Sequence, residues 1–502
     1  MNVPLLLEMA AECLGDRPAL GSRDAPVSYG ELQHYAKNAA AQLKDIPAER
    51  IAYIGLNSSS VAVALFAAGM MGRAFAPLNY RLPDTDLGRL VARTVPSIAI
   101  IDDDMASRVP PIEGVTVLTR SQFDALAQKP VFDGSEDPVE EDGVAIVLFT
   151  SGTTGEPKAA TLKHRHLVSY VISTIELGSA ESDEAALVSV PPYHIAGISA
   201  LLTGIYAGRR IVHLSAFSEK DWVDTVNSEG VTHAMVVPTM FQRILDEMER
   251  SKIGLPSLRH LSYGGGRMPL AVIERAMRLL PNVDFVNAYG LTETSSTIAV
   301  LVPEDHRKAF QSDDPAVKRR LGSVGKPLPH IELEVRDSEG EPVAAGVAGE
   351  IWVRGDQVSG EYIGRKALRG DGWFPTNDGG WLDEDGFLFI DGRLDDVIVR
   401  GGENISPGEI EDVLRAHPAV ADVAVLGVPD QQWGERIVAA VVLKADTSED
   451  ALQQWTRRRL RSTKTPDSIF FRTALPYNDT GKVLRRVLQA EFGKSAAVAH
   501  TI

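Results

Sequence analysis

The sequence predicts an α/β protein in three parts. These are a large N-terminal domain of mixed, mostly parallel sheets, a small β subdomain, and a small C-terminal α+β domain. Three observations predict it. Through most of the chain short apolar runs alternate with longer segments of helical spacing, the pattern of buried strands joined by crossover helices. After about Pro327 apolar and polar residues alternate one by one between tight turns, as in antiparallel hairpins. The final stretch, opened by Asp391-Gly392-Arg393-Leu394-Asp395-Asp396, has a helix and strand pattern of its own.

Taken in order, Tyr29–Gln42 has helical spacing and Ile51–Leu56 reads as a buried strand. Val61–Met71 is the most apolar stretch, but it ends at Gly72-Arg73, too short to cross a bilayer, and reads as a buried helix. Ser97–Ile101 and Val144–Phe149 are strands, and Arg165–Thr174 is a helix. Ala186–Val190, Arg210–Leu214 and His233–Val237 are strands, Thr239–Arg250 is a helix, and Asp284–Ala288 is a strand. Ile331–Arg336 and Gly349–Val353 alternate, with turns at Ser338-Glu339-Gly340 and Asp383-Glu384-Asp385-Gly386. In the last part Pro407–Ala416 and Asp450–Leu460 read as helices, and Val420–Gly427 and Val438–Leu443 as strands.

Composition narrows the function. With 502 residues, 44% apolar and 24% charged, the chain has the make-up of a soluble globular protein of several domains. Lys and Arg number 51 against 68 Asp and Glu, a net charge of −17, which argues against a general nucleic-acid or anionic-membrane binder. The charge is uneven: residues 451–502 hold 10 basic and 3 acidic residues. A single cysteine, Cys13, excludes an intramolecular disulfide, a thiolate zinc cluster and a Cys-x-x-Cys centre. Met1 to Ala11 lacks the basic region and cleavage pattern of a signal peptide, so a cytoplasmic location is expected.

The strongest chemical signal is Phe149-Thr150-Ser151-Gly152-Thr153-Thr154-Gly155-Glu156-Pro157-Lys158. A buried strand enters a loop of glycines and hydroxyls that ends in a lysine. Such a loop lets backbone N–H groups close on a polyphosphate, with hydroxyl donors and the Lys158 charge added. A Ser/Thr/Gly surface loop is the plain alternative, but the ordered run after a strand favours the phosphate reading. No Gly-Lys-Ser/Thr triplet closes the loop, so it is not a Walker loop.

This loop resembles the phosphate-binding signature of the adenylate-forming enzymes: acyl-CoA synthetases, luciferases and peptide-synthetase adenylation domains. The other signatures follow in order. Asn287-Ala288-Tyr289-Gly290-Leu291-Thr292-Glu293-Thr294 resembles the segment whose aromatic stacks on adenine, whose threonine contacts phosphate and whose glutamate holds Mg²⁺. By match these are Tyr289, Thr292 and Glu293. Ser262-Tyr263-Gly264-Gly265-Gly266-Arg267-Met268-Pro269 is similar to a Gly-Gly-Ala-Pro segment lining the adenine and acyl pockets, except that Gly266-Arg267 stand for Ala-Pro. Thr376-Asn377-Asp378 resembles Thr-Gly-Asp, whose aspartate takes the ribose hydroxyls; Asn377 can adopt the left-handed turn of the missing glycine.

Gly392 to Ile405 resembles the acyl-CoA synthetase form of the interdomain segment. The resemblance implies ribose contact by Arg393, a hinge at Asp395, and a Gly401-Gly402 loop bordering a pantetheine tunnel. Leu475 to Arg486 resembles the segment with the catalytic lysine, here Lys482, at the start of a basic helix. His194, in Pro191-Pro192-Tyr193-His194, matches a histidine between acyl pocket and thiol tunnel, although a lone histidine after a strand is more often structural.

The resemblance implies an acid–CoA ligase that uses ATP, Mg²⁺ and coenzyme A. It would form an acyl adenylate, release pyrophosphate, and then transfer the acyl group to the CoA thiol with release of AMP. Lys482, Glu293 and His194 would be catalytic, with Glu293 the metal ligand. Nucleotide and CoA contacts would come from Thr150 to Gly155, Lys158, Gly264 to Gly266, Tyr289, Gly290, Thr292, Asp378, Arg393, Gly401 and Gly402. The acyl pocket would draw on His194, Val237, Phe241, Tyr263, Gly264 and Gly265, with 194–201 and 295–298 close by. Residues 1–394 would bind ATP and acid, and 395–502 would form a mobile lid. The expected partners are small molecules, with no nucleic acid and no integral membrane segment; a homodimer stays open. Two alternatives remain: an enzyme that stops at the adenylate or serves a carrier protein, and a non-catalytic nucleotide-binding protein.

Overall fold

The computed structural model describes residues 1–131, 139–150, 157–430, 432–477 and 483–498, the last six of these as backbone only, and every count below is of those residues. The alternating pattern builds two large sheets. One has nine strands, which begin, edge to edge, at Lys326, Ser296, Asp284, His260, His233, Ala185, Arg210, Pro18 and Pro26. Its middle is parallel, and antiparallel strands close both edges. The other has eight strands, beginning at Arg365, Glu361, Lys158, Val144, Ala74, Arg50, Ser97 and Val115. It is parallel on the Val115 side and antiparallel from Val144 onward.

Helices cover the sheets because their apolar stripes have nowhere else to go. Val61 to Met70 is buried on every side within helix Ser59–Met70 and forms part of one core with the helices Val3–Leu14 and Tyr29–Leu43. Trp222, Phe241, Tyr263 and Phe285 fill a second core. Each such side chain contributes about 1.5–3 kcal/mol of burial.

The predicted change after Pro327 is a four-stranded antiparallel sheet, Glu332–Arg336, Gly349–Arg354, Phe374–Leu382 and Leu388–Arg393. A 3₁₀ turn, Leu394–Asp396, leads into a five-stranded sheet that carries helices Pro407–Arg415 and Glu449–Arg457 and has its own apolar core. The second of these helices is shorter than expected, ending before Leu460. The last helix, Arg485–Val498, begins three residues after Lys482 rather than at it.

The basic tail is less free than its sequence suggests. Lys464 pairs with Glu409 at 2.6 Å, Arg472 with Glu491 at 2.6 Å, and Arg485 with Glu411, while Arg457, Arg458, Arg459 and Arg461 are exposed. No helix among the described residues is long and apolar enough to cross a membrane.

Candidate active site

The site forms where the two large sheets and the antiparallel sheet meet. Strands Val144–Thr150 and Lys158–Lys163 are paired antiparallel, Thr150 opposite Lys158, so both ends of the glycine-rich loop are held together. Ser151, Gly152, Thr153, Thr154 and Gly155 lie outside the described residues, as does Lys482. On either side of 478–482 the chain runs antiparallel: Tyr477 bridges to Val483, and the Leu484 N–H donates to the Pro476 carbonyl at 2.8 Å. Arg485 fastens this point to the small domain by donating to Glu411 and to the Val425 carbonyl.

Asp378 is the best-defined of the expected ligand groups. Asn377 has φ 60°, the left-handed conformation the sequence required of a glycine substitute. The turn swings Asp378 into register with Arg393 on the neighbouring strand. The Arg393 guanidinium donates to one Asp378 oxygen at 3.1 Å and the Tyr289 hydroxyl donates to the other at 2.7 Å. Burial, and then the Asp378 charge, push the Tyr289 hydroxyl well above its ordinary pKa, so it stays protonated and acts as a donor. Asn377 also donates to Asp395 at 2.7 Å, which ties the candidate hinge to the Thr376-Asn377-Asp378 turn.

Glycines shape the walls. A Cβ on Gly290 would lie 1.9 Å from the Ser296 carbonyl oxygen, and one on Gly264 would lie 2.2 Å from that of Ala288. Gly265 has φ 77°. Of the three, only Gly266 combines room for a Cβ with an ordinary φ, so Gly264 and Gly265 serve the backbone. Gly401 and Gly402, with φ 58° and 83°, form the two-residue turn between Arg400 and Glu403, where positive φ at both positions suits a hairpin.

Glu293 and Thr292 lie on a short 3₁₀ turn after strand Asp284–Leu291. The Tyr362 hydroxyl donates to Glu293 Oε1 at 2.5 Å, while the Ser359 and Gly360 N–H groups donate to the Glu293 carbonyl at 2.8 and 3.1 Å. Burial and the Glu293 charge raise the Tyr362 pKa, so its proton stays on the shared bond. No cluster of three or more His, Cys, Asp or Glu residues encloses a metal among the described residues. One anchored carboxylate with an oxygen to spare fits Mg²⁺ that arrives with nucleotide phosphates and keeps most of its ligands from them and from water.

The acyl wall is partly as expected. His194 occupies the N-cap position of helix Ile195–Ala207 without a side-chain capping bond, and its ring lies tilted against that of Tyr193, with ring centres 4.5 Å apart and planes at 54°. The Ser296 hydroxyl donates to Ser199 Oγ at 3.0 Å, which joins segments 194–201 and 295–298. Val237 lies beside Gly265. Phe241 and Tyr263 turn elsewhere. Both are fully buried; Phe241 packs against Tyr263 and Phe285, and the Tyr263 hydroxyl meets His306 Nε2 at 2.8 Å. Phe241 stands on helix Pro238–Ser251 and Tyr263 on strand His260–Gly264, and their side chains meet in the second core.

Two contacts had no sequence signal. Tyr362, 69 positions from Glu293, became its partner only because strand Glu361–Tyr362 pairs with Lys158–Lys163 in the eight-stranded sheet. Arg267, the departure from the usual motif, reaches across to Asp412 on helix Pro407–Arg415 at 2.5 Å. Gly408 leaves room there, since a Cβ would lie 2.5 Å from the guanidinium.

This fold and this group of residues define an adenylate-forming enzyme. The chain belongs to the AMP-binding enzyme family: that family matches residues 7–363, and the AMP-binding enzyme C-terminal domain matches residues 409–482. It is 35% identical over 482 residues to a feruloyl-CoA synthase of an Amycolatopsis species, covering 93% of this chain and 94% of that one. It is 32% identical to the 2-succinylbenzoate–CoA ligase of Bacillus licheniformis, over 97% of this chain and 100% of that one. The o-succinylbenzoate CoA synthetase of Bacillus subtilis, solved with its acyl-adenylate intermediate, superposes with a TM-score of 0.82 at 29% identity, covering 96% of this chain and 97% of that one. The same enzyme has been solved with ATP and a magnesium ion.

Proposed function

We propose that this chain is an AMP-forming acid–CoA ligase. The carrying observation is the Tyr289–Asp378–Arg393 group, with Glu293 close enough to add its charge to the field at Arg393. That arrangement offers a carboxylate for two ribose hydroxyls beside a carboxylate for a phosphate-bound cation, which is what an ATP α-phosphate needs at its two ends.

A carboxylate is a poor acyl donor because its oxygen leaves badly. Attack of the acid on the α-phosphorus of ATP expels pyrophosphate and leaves an acyl adenylate with AMP as a good leaving group. Catalysis is then positioning and charge stabilisation. Lys482, Lys158 and the hydroxyls of the 150–154 segment supply it from the protein. Mg²⁺, when bound at Glu293, neutralises phosphate charge. The CoA thiol then displaces AMP from the acyl carbon.

The domain boundary at Asp395 supports a lid that presents Lys482 in the first half-reaction and the Gly401-Gly402 turn in the second. By its match to the family motif, His194 is assigned to the boundary between acyl pocket and thiol tunnel. The test is AMP and pyrophosphate release over a panel of acids, with and without CoA, starting with ferulate and 2-succinylbenzoate, the acids named for two relatives. Pyrophosphate exchange without CoA-dependent AMP release would point instead to a carrier-protein acceptor. No nucleotide turnover with any acid would leave only nucleotide binding.

A further inference from the structure

The turn that follows Glu293 is held against its own preference. Ser295 has φ 56° and Ser296 φ 120°, two consecutive residues with side chains in a region that favours glycine. Lys252 and Asn377 are the other non-glycine residues at positive φ among those described, and each stands alone. Both serines are buried, and the Ser295 hydroxyl has no hydrogen-bond partner among the described residues. The Ser296 carbonyl lies against Gly290, where any Cβ would collide with it. Strained backbone of this kind persists only where its surroundings over-determine it.

Gln357 supplies that constraint. Its side chain is fully buried, and Nε2 donates to the Thr294 carbonyl at 2.9 Å and to the Thr297 carbonyl at 2.8 Å, one on each side of the strained pair. Turned the other way, the amide would set its oxygen against two carbonyl oxygens. Its Oε1 instead meets His330 Nε2 at 2.6 Å, which fixes the orientation. The segment continues the grip: the Ser359 and Gly360 N–H groups hold the Glu293 carbonyl, and Ser359 Oγ donates to the Thr161 carbonyl at 2.5 Å. Within the turn, Thr294 Oγ1 meets the Ser296 carbonyl at 2.8 Å. Two parts of the candidate site hang on its ends, the Glu293 carboxylate before it and the Ser296–Ser199 hydroxyl pair at its close.

We propose that Gln357 is a positioning residue for the reaction: by fixing the Ser295-Ser296 turn, it sets the Glu293 carboxylate and the acyl wall in one arrangement. The inference rests on the ligase reading above. On that reading Glu293 meets the cation that the phosphates carry, and the acid lies along the wall. The approach of the acid oxygen to the α-phosphorus then depends on how these two ends are set. Relaxing the pair to ordinary φ would swing one end relative to the other. The Tyr289–Asp378–Arg393 group is built from other hydrogen bonds and does not depend on Gln357.

The test is calorimetric titration of the full-length protein with AMP, with ATP in EDTA, and with ATP and Mg²⁺. Gln357→Met keeps the bulk and removes both donors. The gain in ATP affinity that Mg²⁺ brings should fall about tenfold, while AMP affinity stays within a factor of about two. His330→Leu leaves both donors but frees the amide, and should lower the same gain by about threefold. His330→Gln, which restores a donor, should recover most of that loss. His330 is only partly buried, so its variants decide the matter should Gln357→Met not fold. These arms need no turnover, so a negative acid panel would count against the ligase reading without touching them. With an accepted acid, Gln357→Met should also raise the KM for the acid by about threefold or more. Wild-type ATP affinity that does not respond to Mg²⁺, variants that keep the full Mg²⁺ gain, or variants that lose AMP affinity by the same factor would each overturn the proposal. The last is what a purely structural role for Gln357 requires.

Discussion

The Tyr289 hydroxyl donates to Asp378 Oδ2 at 2.7 Å, joining an aromatic at a strand end of the nine-stranded sheet to a carboxylate in the antiparallel sheet. The bond fixes the Tyr289 ring as a wall and leaves Asp378 oriented by Arg393 on its other oxygen. Asp378→Asn should raise the KM for ATP by about 10- to 100-fold, with a smaller effect on kcat, because a charged acceptor and its ion pair are lost together. Tyr289→Phe should raise it by no more than about tenfold. Steady-state kinetics in ATP decide it; an unchanged KM in Asp378→Asn would remove the ribose assignment.

Tyr362 holds Glu293 through one oxygen. Its replacement by Phe frees the carboxylate to rotate, and a freely rotating ligand binds a cation less well. The Mg²⁺ concentration for half-maximal rate should rise about three- to tenfold, with the rate largely recovered at saturating Mg²⁺. A lowered plateau with the same half-saturation would show that Tyr362 acts otherwise.

Lys482→Ala should abolish acyl-adenylate formation and largely spare thioester formation from preformed adenylate. Asp395→Pro should hold the small domain in one arrangement and slow one half-reaction far more than the other, since proline fixes φ at the pivot. Single-turnover measurements of each step separate these effects. Equal loss of both steps in Lys482→Ala would dispose of the two-state lid.

Arg267 and Asp412 bridge the two parts of the chain, each about half exposed. In this arrangement Gly402 points into open space and Trp433, beside the turn, is 45% exposed. The bridge therefore favours an arrangement in which the Gly401-Gly402 turn faces solvent. Arg267→Ala, Asp412→Ala and the double variant should all raise the thioester rate relative to the adenylation rate by the same two- to fivefold, about 0.5–1 kcal/mol. Additive effects in the double variant would mean that the two residues act separately.

Stability should fall on acidification. Burial holds His164, His166 and His306 near pKa 4, against 6.5 in the unfolded chain. The unfolded state therefore binds more protons between these values. The native state is fully favoured above about pH 6.5 and loses about 1.4 kcal/mol per histidine per pH unit below it, down to about pH 4. Urea titrations at pH 7.5, 6.0 and 5.0 should show the decline, and His306→Gln should flatten it. A His306→Gln slope equal to wild type would show that this histidine is not held neutral.

Local chemistry settled much of this protein in the sequence alone. The strand runs, the buried helix at Ser59–Met70, the left-handed Asn377 and the glycine turn at Gly401-Gly402 all follow from periodicity and φ preference, which act over a few residues. The ordered motifs also singled out Tyr289, Asp378 and Arg393, which the fold brings together. Tertiary structure alone decided the partners. Apolar spacing marks Phe241 and Tyr263 as buried but not what they are buried against, and the packing of helix Pro238–Ser251 on strand His260–Gly264 joined them in the second core. Tyr362 on Glu293 and Arg267 on Asp412 join positions tens to more than a hundred residues apart. Such contacts depend on sheet order and crossover geometry, because a side chain's direction follows from the strand or helix that carries it and its partner from whichever element packs there.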